Sequence, residues 1–259
     1  MIAVDEIVFW GIAYACFLVA AGAYAVVLWR GLDVATLVGR LTGSLGAVLT
    51  VVGLAVRLAR AGRWLLVGSG EVAVLVVVIA VVAFLLLGRR SKLQGGGVGV
   101  FLLIVLLDSF ALWSLVIRGA DGIPLVAGGG GGVLATLRVA LDAVAYGCLL
   151  VGGGFGLVGM IPARWPAAGR PSADAVDVAA WQAFIWGASA LSGGLLIGVL
   201  AAYLAGYSLW SPESGLLWSM GVWAVCGGSV VVERVGSWRA ALATLATAAA
   251  FVVMLGGGG

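Results

Sequence analysis

The sequence predicts an all-α integral membrane protein, a polytopic bundle of about eight transmembrane helices in a single domain spanning residues 1–259. The chain is 63% hydrophobic and 10% charged, and its mean hydropathy is +1.22. A soluble domain carries about 45–50% apolar and about 25% charged residues. The apolar residues also fall into runs of roughly 18–25, the length that crosses about 30 Å of hydrocarbon as a helix. We therefore expect the lipid bilayer to be the solvent of this chain.

Charged residues and clusters of proline and glycine separate eight apolar runs. The predicted spans are residues 7–29, 37–56, 72–87, 98–117, 133–161, 178–205, 215–232 and 240–255. The third span is short for a perpendicular crossing, whereas the fifth and sixth are long enough to tilt or to project beyond the bilayer. The chain thus divides into four helices in residues 1–132 and four in residues 133–259.

The positions of lysine and arginine predict the orientation, because cytoplasmic loops carry an excess of these residues. With the N-terminus outside, nine of the fourteen basic residues fall in cytoplasmic loops. This predicts an N-out, C-out protein of a bacterial or archaeal cytoplasmic membrane, or of an organellar equivalent. Arg57, Arg60 and Arg63 are among the five basic residues that this orientation places at the extracytoplasmic face. We interpret them as a helix end whose side chains reach the lipid phosphates, with a dedicated anion site as the alternative.

Several site classes are excluded by composition. The chain has no histidine, so it cannot form a histidine-ligated haem, a histidine-containing zinc site or a Ser-His-Asp triad. Cys16, Cys148 and Cys226 are far apart and form no CxxC pair, which disfavours a thiol–disulfide reductase. The sequence therefore predicts no catalytic residue, no metal site and no nucleic-acid partner.

Glycine patterns in the spans are interpreted as helix-packing contacts. Gly39 with Gly43, and Gly194 with Gly198, have the spacing that brings membrane helices close together. A GxGxxG pattern beginning at Gly154 lies inside an apolar span with no preceding strand, so a dinucleotide site is not expected.

Ionisable residues inside the spans are the sharper signals. Asp108 lies near the middle of the fourth span, where an unpaired carboxylate costs about 3 kcal/mol on insertion scales. It should therefore face the bundle interior and be protonated or paired, either as a structural group or as a proton relay. Arg138 and Asp142 stand at i and i+4, which predicts an ion pair on one helix face. This pair could also hold an anion such as a propionate.

Tyrosine and tryptophan cluster around the connection between the sixth and seventh spans, in AAYLAGYSLWSPESGLLWSMGVW. An aromatic belt at the membrane edge accounts for many such residues. The segment AGYSLWSPESGLLW has a more specific pattern, with Tyr207, Trp210 and Pro212 in a fixed order. Upstream, in LRVALDAVAYG, Arg138 stands eight residues before Tyr146.

These motifs resemble those of the haem-handling membrane proteins of cytochrome c biogenesis (the CcsA/CcmC type). The hallmark of that family is a tryptophan-rich extracytoplasmic loop of the form WGxYWxWDPKETW between two helices. Tyr207, Trp210 and Pro212 match it, whereas Ser208 and Ser211 replace a tryptophan and an aspartate. Arg138 occupies the position of a haem-liganding histidine, eight residues before the matching tyrosine. The resemblance covers roughly the second half of the chain.

The resemblance implies a protein that handles haem, or presents it to an apocytochrome c, at the extracytoplasmic face, at most as a haem lyase or haem-delivery component. The implied cofactor-binding residues are Arg138, Tyr146, Tyr207, Trp210 and Trp218, with no histidine available as a ligand. Aromatic rings would stack on the porphyrin and Arg138 would meet a propionate. One alternative is a relative that has lost this site and serves as a non-catalytic subunit among other membrane proteins. A weaker alternative is a small-solute or proton transporter centred on Asp108.

Overall fold

A computed structural model describes residues 4–60, 69–88, 91–118, 133–161, 168–204, 206, 216–233 and 246–248. The helices are α1 (Val4–Arg30), α2 (Asp33–Arg60), α3 (Ser69–Leu87), α4 (Gly97–Arg118), α5 (Val133–Gly159), α6 (Ala173–Leu204) and α7 (Leu216–Glu233). A 3-10 helix, Ser91–Gly96, leads into α4. The described residues form no strand, which confirms the all-α class.

Six helices, α1 to α6, are long and apolar enough to cross a membrane. They coincide with the first six predicted spans, so the prediction of membrane-length apolar helices is confirmed for these six. The seventh predicted span falls on α7. The eighth lies outside the described residues except for a helical turn at 246–248. The total of eight spans therefore stays a prediction.

Helix α6 begins five residues before the predicted span and has 32 residues. Its start is fixed by a cap, in which the backbone N–H of Ala175 donates to the Ser172 hydroxyl over 3.3 Å. At 1.5 Å per residue the helix is about 48 Å long, well beyond the about 30 Å of hydrocarbon. Helix α5, with 27 residues, is also longer than a perpendicular crossing needs, as predicted.

Helix α3 is the most enclosed of the six candidate spans, and this explains its composition. It packs against α2, α4 and α5, and 67% of its apolar window is buried, more than in any other candidate span. Its sequence after Glu71 is apolar on every side, as expected for a helix surrounded by protein. Little of this short predicted span is therefore left to face the surroundings of the bundle.

Two pairs of neighbouring helices, α1 with α2 and α5 with α6, run antiparallel. Gly39 lies beside Tyr24 and Gly53 beside Trp10, so α2 runs back along α1. Helix α6 runs back along α5 in the same way, because Gly187 lies beside Leu149 while Gly194 lies beside Asp142.

An aromatic cluster fills the space between α1, α3, α4 and α5. Tyr24 stacks on Phe101 with ring centroids 5.3 Å apart, and Phe84 meets both rings edge-on at 5.2 and 5.5 Å. The packing interpretation of Gly39 and Gly43 is confirmed, but these glycines accommodate the rings of Tyr24 and Phe101 and not another backbone. The glycines of α2 thus make room for aromatic side chains from its neighbours.

The GxGxxG pattern in α5 also mediates packing. A Cβ atom added at Gly154 would lie 2.5 Å from the Val100 Cα, and Gly99 lies against the Gly154 carbonyl. Helices α4 and α5 therefore approach backbone to backbone, a contact that only glycine permits here.

Connections at one end of the bundle pack together. The backbone N–H groups of Ala168 and Gly169 donate to the carbonyls of Trp29 and Leu28, over 3.3 and 3.1 Å. The Thr36 hydroxyl donates to the side-chain carbonyl of Gln94 over 3.1 Å. The end of α1, the start of α2, the 3-10 helix and the chain before α6 therefore meet at the same end of the bundle.

We expect Gly43→Ala to lower the unfolding free energy by about 1–3 kcal/mol, because overpacking a full core costs about that much. The added Cβ would lie 2.5 Å from the Phe101 Cζ, and Phe101 is fully buried. Gly22→Ala in α1 is the matched control, since its Cβ would have no neighbour within 4 Å. Thermal unfolding in detergent should show a loss for the first variant alone. Equal midpoints would contradict the packing described for α2.

Candidate functional site

Three polar side chains form a row along one face of α5. Arg138, Asp142 and Tyr146 follow one another at spacings of four residues, so they lie one above the next on the helix. The Arg138 Nε lies 3.5 Å from the Asp142 Oδ2, and the two side chains are 18% and 14% exposed. The predicted ion pair is confirmed, and it occupies a largely buried position near the start of α5.

Helix α7 closes over the inner part of this row. The side chains of Tyr146 and Ser219 share a hydrogen bond, and the Trp223 Nε1–H donates to the Ser192 hydroxyl over 2.9 Å. Polar contacts therefore join α5, α6 and α7. Ser192 and Ser219 were not singled out from the sequence. The available signal in the sequence was a serine within an apolar span.

Gly194 lets α6 approach the ion pair closely. A Cβ atom at position 194 would lie 2.5 Å from the Asp142 Oδ1. This oxygen is buried and has no hydrogen-bond partner among the described residues. Asp142 thus uses one oxygen for Arg138 and keeps the other available to accept a proton or a hydrogen bond.

Of the five residues that the resemblance implies for haem binding, the structure describes the side chains of two, Arg138 and Tyr146. Arg138 and Tyr146 share the polar row, and Tyr146 contacts Ser219, the neighbour in sequence of Trp218. Tyr146 is 7% exposed, so its ring packs inside the bundle. Trp218 belongs to α7, but its side chain lies outside the described residues, as do Tyr207 and Trp210. The convergence of all five residues on one pocket therefore stays a prediction.

Asp108 faces the bundle interior, as predicted, and is 2% exposed. Its Oδ2 has no hydrogen-bond partner among the described residues. The adjacent Ser109 hydroxyl donates to the Val105 carbonyl over 2.7 Å and can accept from the Tyr14 hydroxyl over 3.1 Å. A structural partner for this carboxyl oxygen is thus not found in the part of the chain that the structure describes.

A second buried ion pair was not predicted. The Arg57 Nε lies 2.9 Å from the Glu71 Oε1, with side chains 7% and 1% exposed. The guanidinium also lies 5.8 Å from the centre of the Trp10 ring, within the range of a cation–π contact. Arg57 therefore turns inward, and its interpretation as a side chain reaching for lipid phosphates is wrong. Arg60 is exposed, and Arg63 lies outside the described residues.

This pair joins the end of α2 to the start of α3. Each charge sits at the helix end that favours its sign, the cation at a C-terminus and the anion at an N-terminus. Desolvating one member alone would be expensive. Within the ranges that the structure describes, no cluster of three or more His, Cys, Asp or Glu side chains could hold a metal ion.

The two kinds of buried acid should respond differently to neutralisation. Glu71→Gln should cost about 3–5 kcal/mol of unfolding free energy, because it leaves the buried Arg57 charge without its carboxylate. Asp108→Leu should leave stability unchanged or raise it, since it removes a carboxyl oxygen with no observed partner. Asp108→Asn is the isosteric control. Thermal unfolding of all three in detergent is the measurement, and a large loss for Asp108→Leu alone would reveal a structural partner.

Comparison with known proteins gives no assignment, because no protein-family model matches the chain and no curated protein matches it.

Proposed function

We propose that this membrane protein handles haem, or presents it to an apocytochrome c, at the extracytoplasmic face, as the resemblance to cytochrome c assembly proteins implies. The observation that supports the proposal is the proximity of Arg138, Tyr146 and the start of α7, which are distant in sequence. In the family pattern these positions flank the tryptophan-rich loop.

The positions of the helix ends support a common location for the loop and the polar row. Helix α5 begins five residues before Arg138. Because α6 runs antiparallel to α5, it ends where α5 begins, and α7 starts three residues before Ser219. The last described residue of α6 and the first of α7 therefore both lie at this end of the bundle, and Tyr207 and Trp210 stand between them in sequence.

The residues fit a porphyrin better than they fit its iron. An arginine can bind a propionate through charge-assisted hydrogen bonds, and aromatic rings can stack on the porphyrin face. The chain has no histidine to ligate the iron. In this proposal the affinity therefore comes from the propionates and the apolar ring.

The second candidate is a non-catalytic subunit of a larger membrane complex. It is favoured by the fact that Arg138 already pairs with Asp142 and Tyr146 with Ser219. A polar row satisfied by the protein itself can serve to hold helices together. A transporter centred on Asp108 has weaker support, namely the buried carboxyl oxygen without an observed partner.

The proposal places the polar row outside the cytoplasm, with both termini on that side. Reporter fusions after Lys92 and Arg170 should therefore be cytoplasmic, because the chain at those positions belongs to the basic end of the bundle. A fusion within residues 211–214 should be extracytoplasmic. The reverse pattern would place the aromatic loop in the cytoplasm and end the haem proposal.

Purified protein from haem-supplied cells should show a Soret band. Arg138→Gln should weaken haem binding about 10- to 100-fold, because a charge-assisted hydrogen bond to a propionate is lost. Arg30→Gln is the matched control, since Arg30 is exposed at the opposite end of the bundle. Haem titration followed by absorbance is the measurement.

Asp142→Asn separates the two candidates. It removes the Asp142 carboxylate as a competitor for Arg138, so the haem proposal expects equal or tighter haem binding. The structural-subunit candidate expects a loss of thermal stability and no Soret band in any variant. Absence of haem from the unmodified protein, even when haem is added in excess, would reject the first candidate.

A further inference from the structure

The two oxygens of the Asp142 carboxylate have different surroundings. The Oδ2 lies 3.5 Å from the Arg138 Nε, and the two side chains keep 14% and 18% exposure near the start of α5. The Oδ1 is buried against α6 at Gly194 and has no hydrogen-bond partner among the described residues. In the described part of the chain, Asp142 therefore depends on Arg138 for the stabilisation of its negative charge.

The elements packed against this part of α5 bring no other cation to Asp142 within the described ranges. Helices α3, α4 and α6 pack on α5, and residues 178–204 of α6 contain no charged side chain. The charge that acts on the Asp142 carboxylate is that of Arg138. The remaining titratable side chains of these elements are Tyr146 on α5, Glu71 on α3 in its pair with Arg57, Asp108 on α4, Tyr203 near the end of α6 and Cys226 on α7.

A ligand carboxylate that binds Arg138 changes the surroundings of Asp142 in one of two ways. If the ligand displaces Asp142, a largely buried carboxylate loses its cation, which is expensive. If both carboxylates share the guanidinium, two like charges lie in one site, and such a site holds one of its carboxyl groups protonated. Uptake of one proton lowers the free energy of the complex in either arrangement.

We propose that the Arg138–Asp142 pair is a proton-coupled carboxylate site, which takes up one proton at Asp142 for each amphiphilic carboxylate that it binds at Arg138. An O–H bond forms on the Asp142 carboxyl group, and the proton comes from the water at the end of the bundle where α5 begins. No covalent bond to the ligand forms or breaks. The ligand carboxylate and the proton together add no net charge to the site.

This inference rests on the proposed function, in which the ligand carboxylate is a propionate of the porphyrin. Because the complex binds one proton more than the free protein, a lower pH favours binding and a higher pH favours release. The extracytoplasmic pH would thus regulate how firmly the porphyrin is held.

The test is calorimetric titration of the full-length protein in detergent with iron-free protoporphyrin IX, which has no iron-bound water to titrate. Repeating the titration in buffers of different ionisation enthalpy counts the protons, and we expect uptake of about one proton per porphyrin. The affinity should fall by up to about tenfold per unit between about pH 6 and pH 8, where an exposed propionate is already ionised. The dimethyl ester of the same porphyrin has no carboxylate and should bind without proton uptake.

Asp142→Asn should bind protoporphyrin IX without proton uptake and with an affinity that does not change over the same pH range, because an amide does not titrate. Asp108→Asn is the matched control. Asp108 is also a buried acid with one oxygen that has no partner among the described residues, and it lies on α4, outside the polar row. This variant should keep the proton uptake of the unmodified protein.

The outcomes separate this inference from the proposed function. Failure of the unmodified protein to bind the porphyrin at any pH would reject both. Binding without proton uptake would overturn this inference alone and leave the haem proposal standing. Equal uptake by Asp142→Asn, loss of uptake in Asp108→Asn, or equal uptake with the dimethyl ester would assign the proton to another group and would also overturn it. The proton count of the unmodified protein decides the matter even if Asp142→Asn does not fold.

Discussion

The fold requires that its buried arginines pair with acids inside the bundle, because leaving a buried charge unpaired is expensive. Two charge pairs meet this requirement. Arg57–Glu71 ties α2 to α3 and Arg138–Asp142 lies on α5 where α6 closes over it. Each pair lies near a helix end, so the charged residues interrupt the apolar stretches only near their ends. The bundle can therefore carry charges at its edge without losing its transmembrane helices.

Helix association has a different cause in this chain than in a soluble bundle. Burying leucine against leucine gains little when lipid is equally apolar, so close packing and polar contacts must hold the helices together. The glycines of α2 receive the rings of Phe17, Tyr24 and Phe101, and Gly99 brings α4 against the backbone of α5. Helix α3 supplies no glycine of this kind after Glu71, and it is instead surrounded by its neighbours. Close packing at glycines thus holds the helices around α3 together, whereas α3 itself is held by the neighbours that enclose it.

The sequence predicted the apolar helices and the pair on α5, because both depend on local patterns. The length of a span follows from hydropathy, and the Arg138–Asp142 contact follows from a spacing of four residues. The Arg57–Glu71 pair could not be derived in this way. Whether an arginine at a helix end reaches outward or turns inward depends on which helix lies beside it. The early start of α6 was missed for a related reason, since hydropathy locates the hydrocarbon crossing and not the helix that projects beyond it.

The two ion pairs differ in how readily the cation can change its partner. The 2.9 Å contact of Arg57 has the length of a strong charge-assisted hydrogen bond, and both side chains are nearly inaccessible. The 3.5 Å contact of Arg138 is longer, and its side chains keep 18% and 14% exposure near the start of α5. Replacing Asp142 by the carboxylate of a ligand should therefore cost less free energy than replacing Glu71, because the Arg138 side chain is less buried than that of Arg57. Asp142 also keeps a second oxygen without an observed partner, which can take up a proton when the arginine leaves. Of these two cations, Arg138 is thus the one suited to meet an incoming carboxylate such as a propionate.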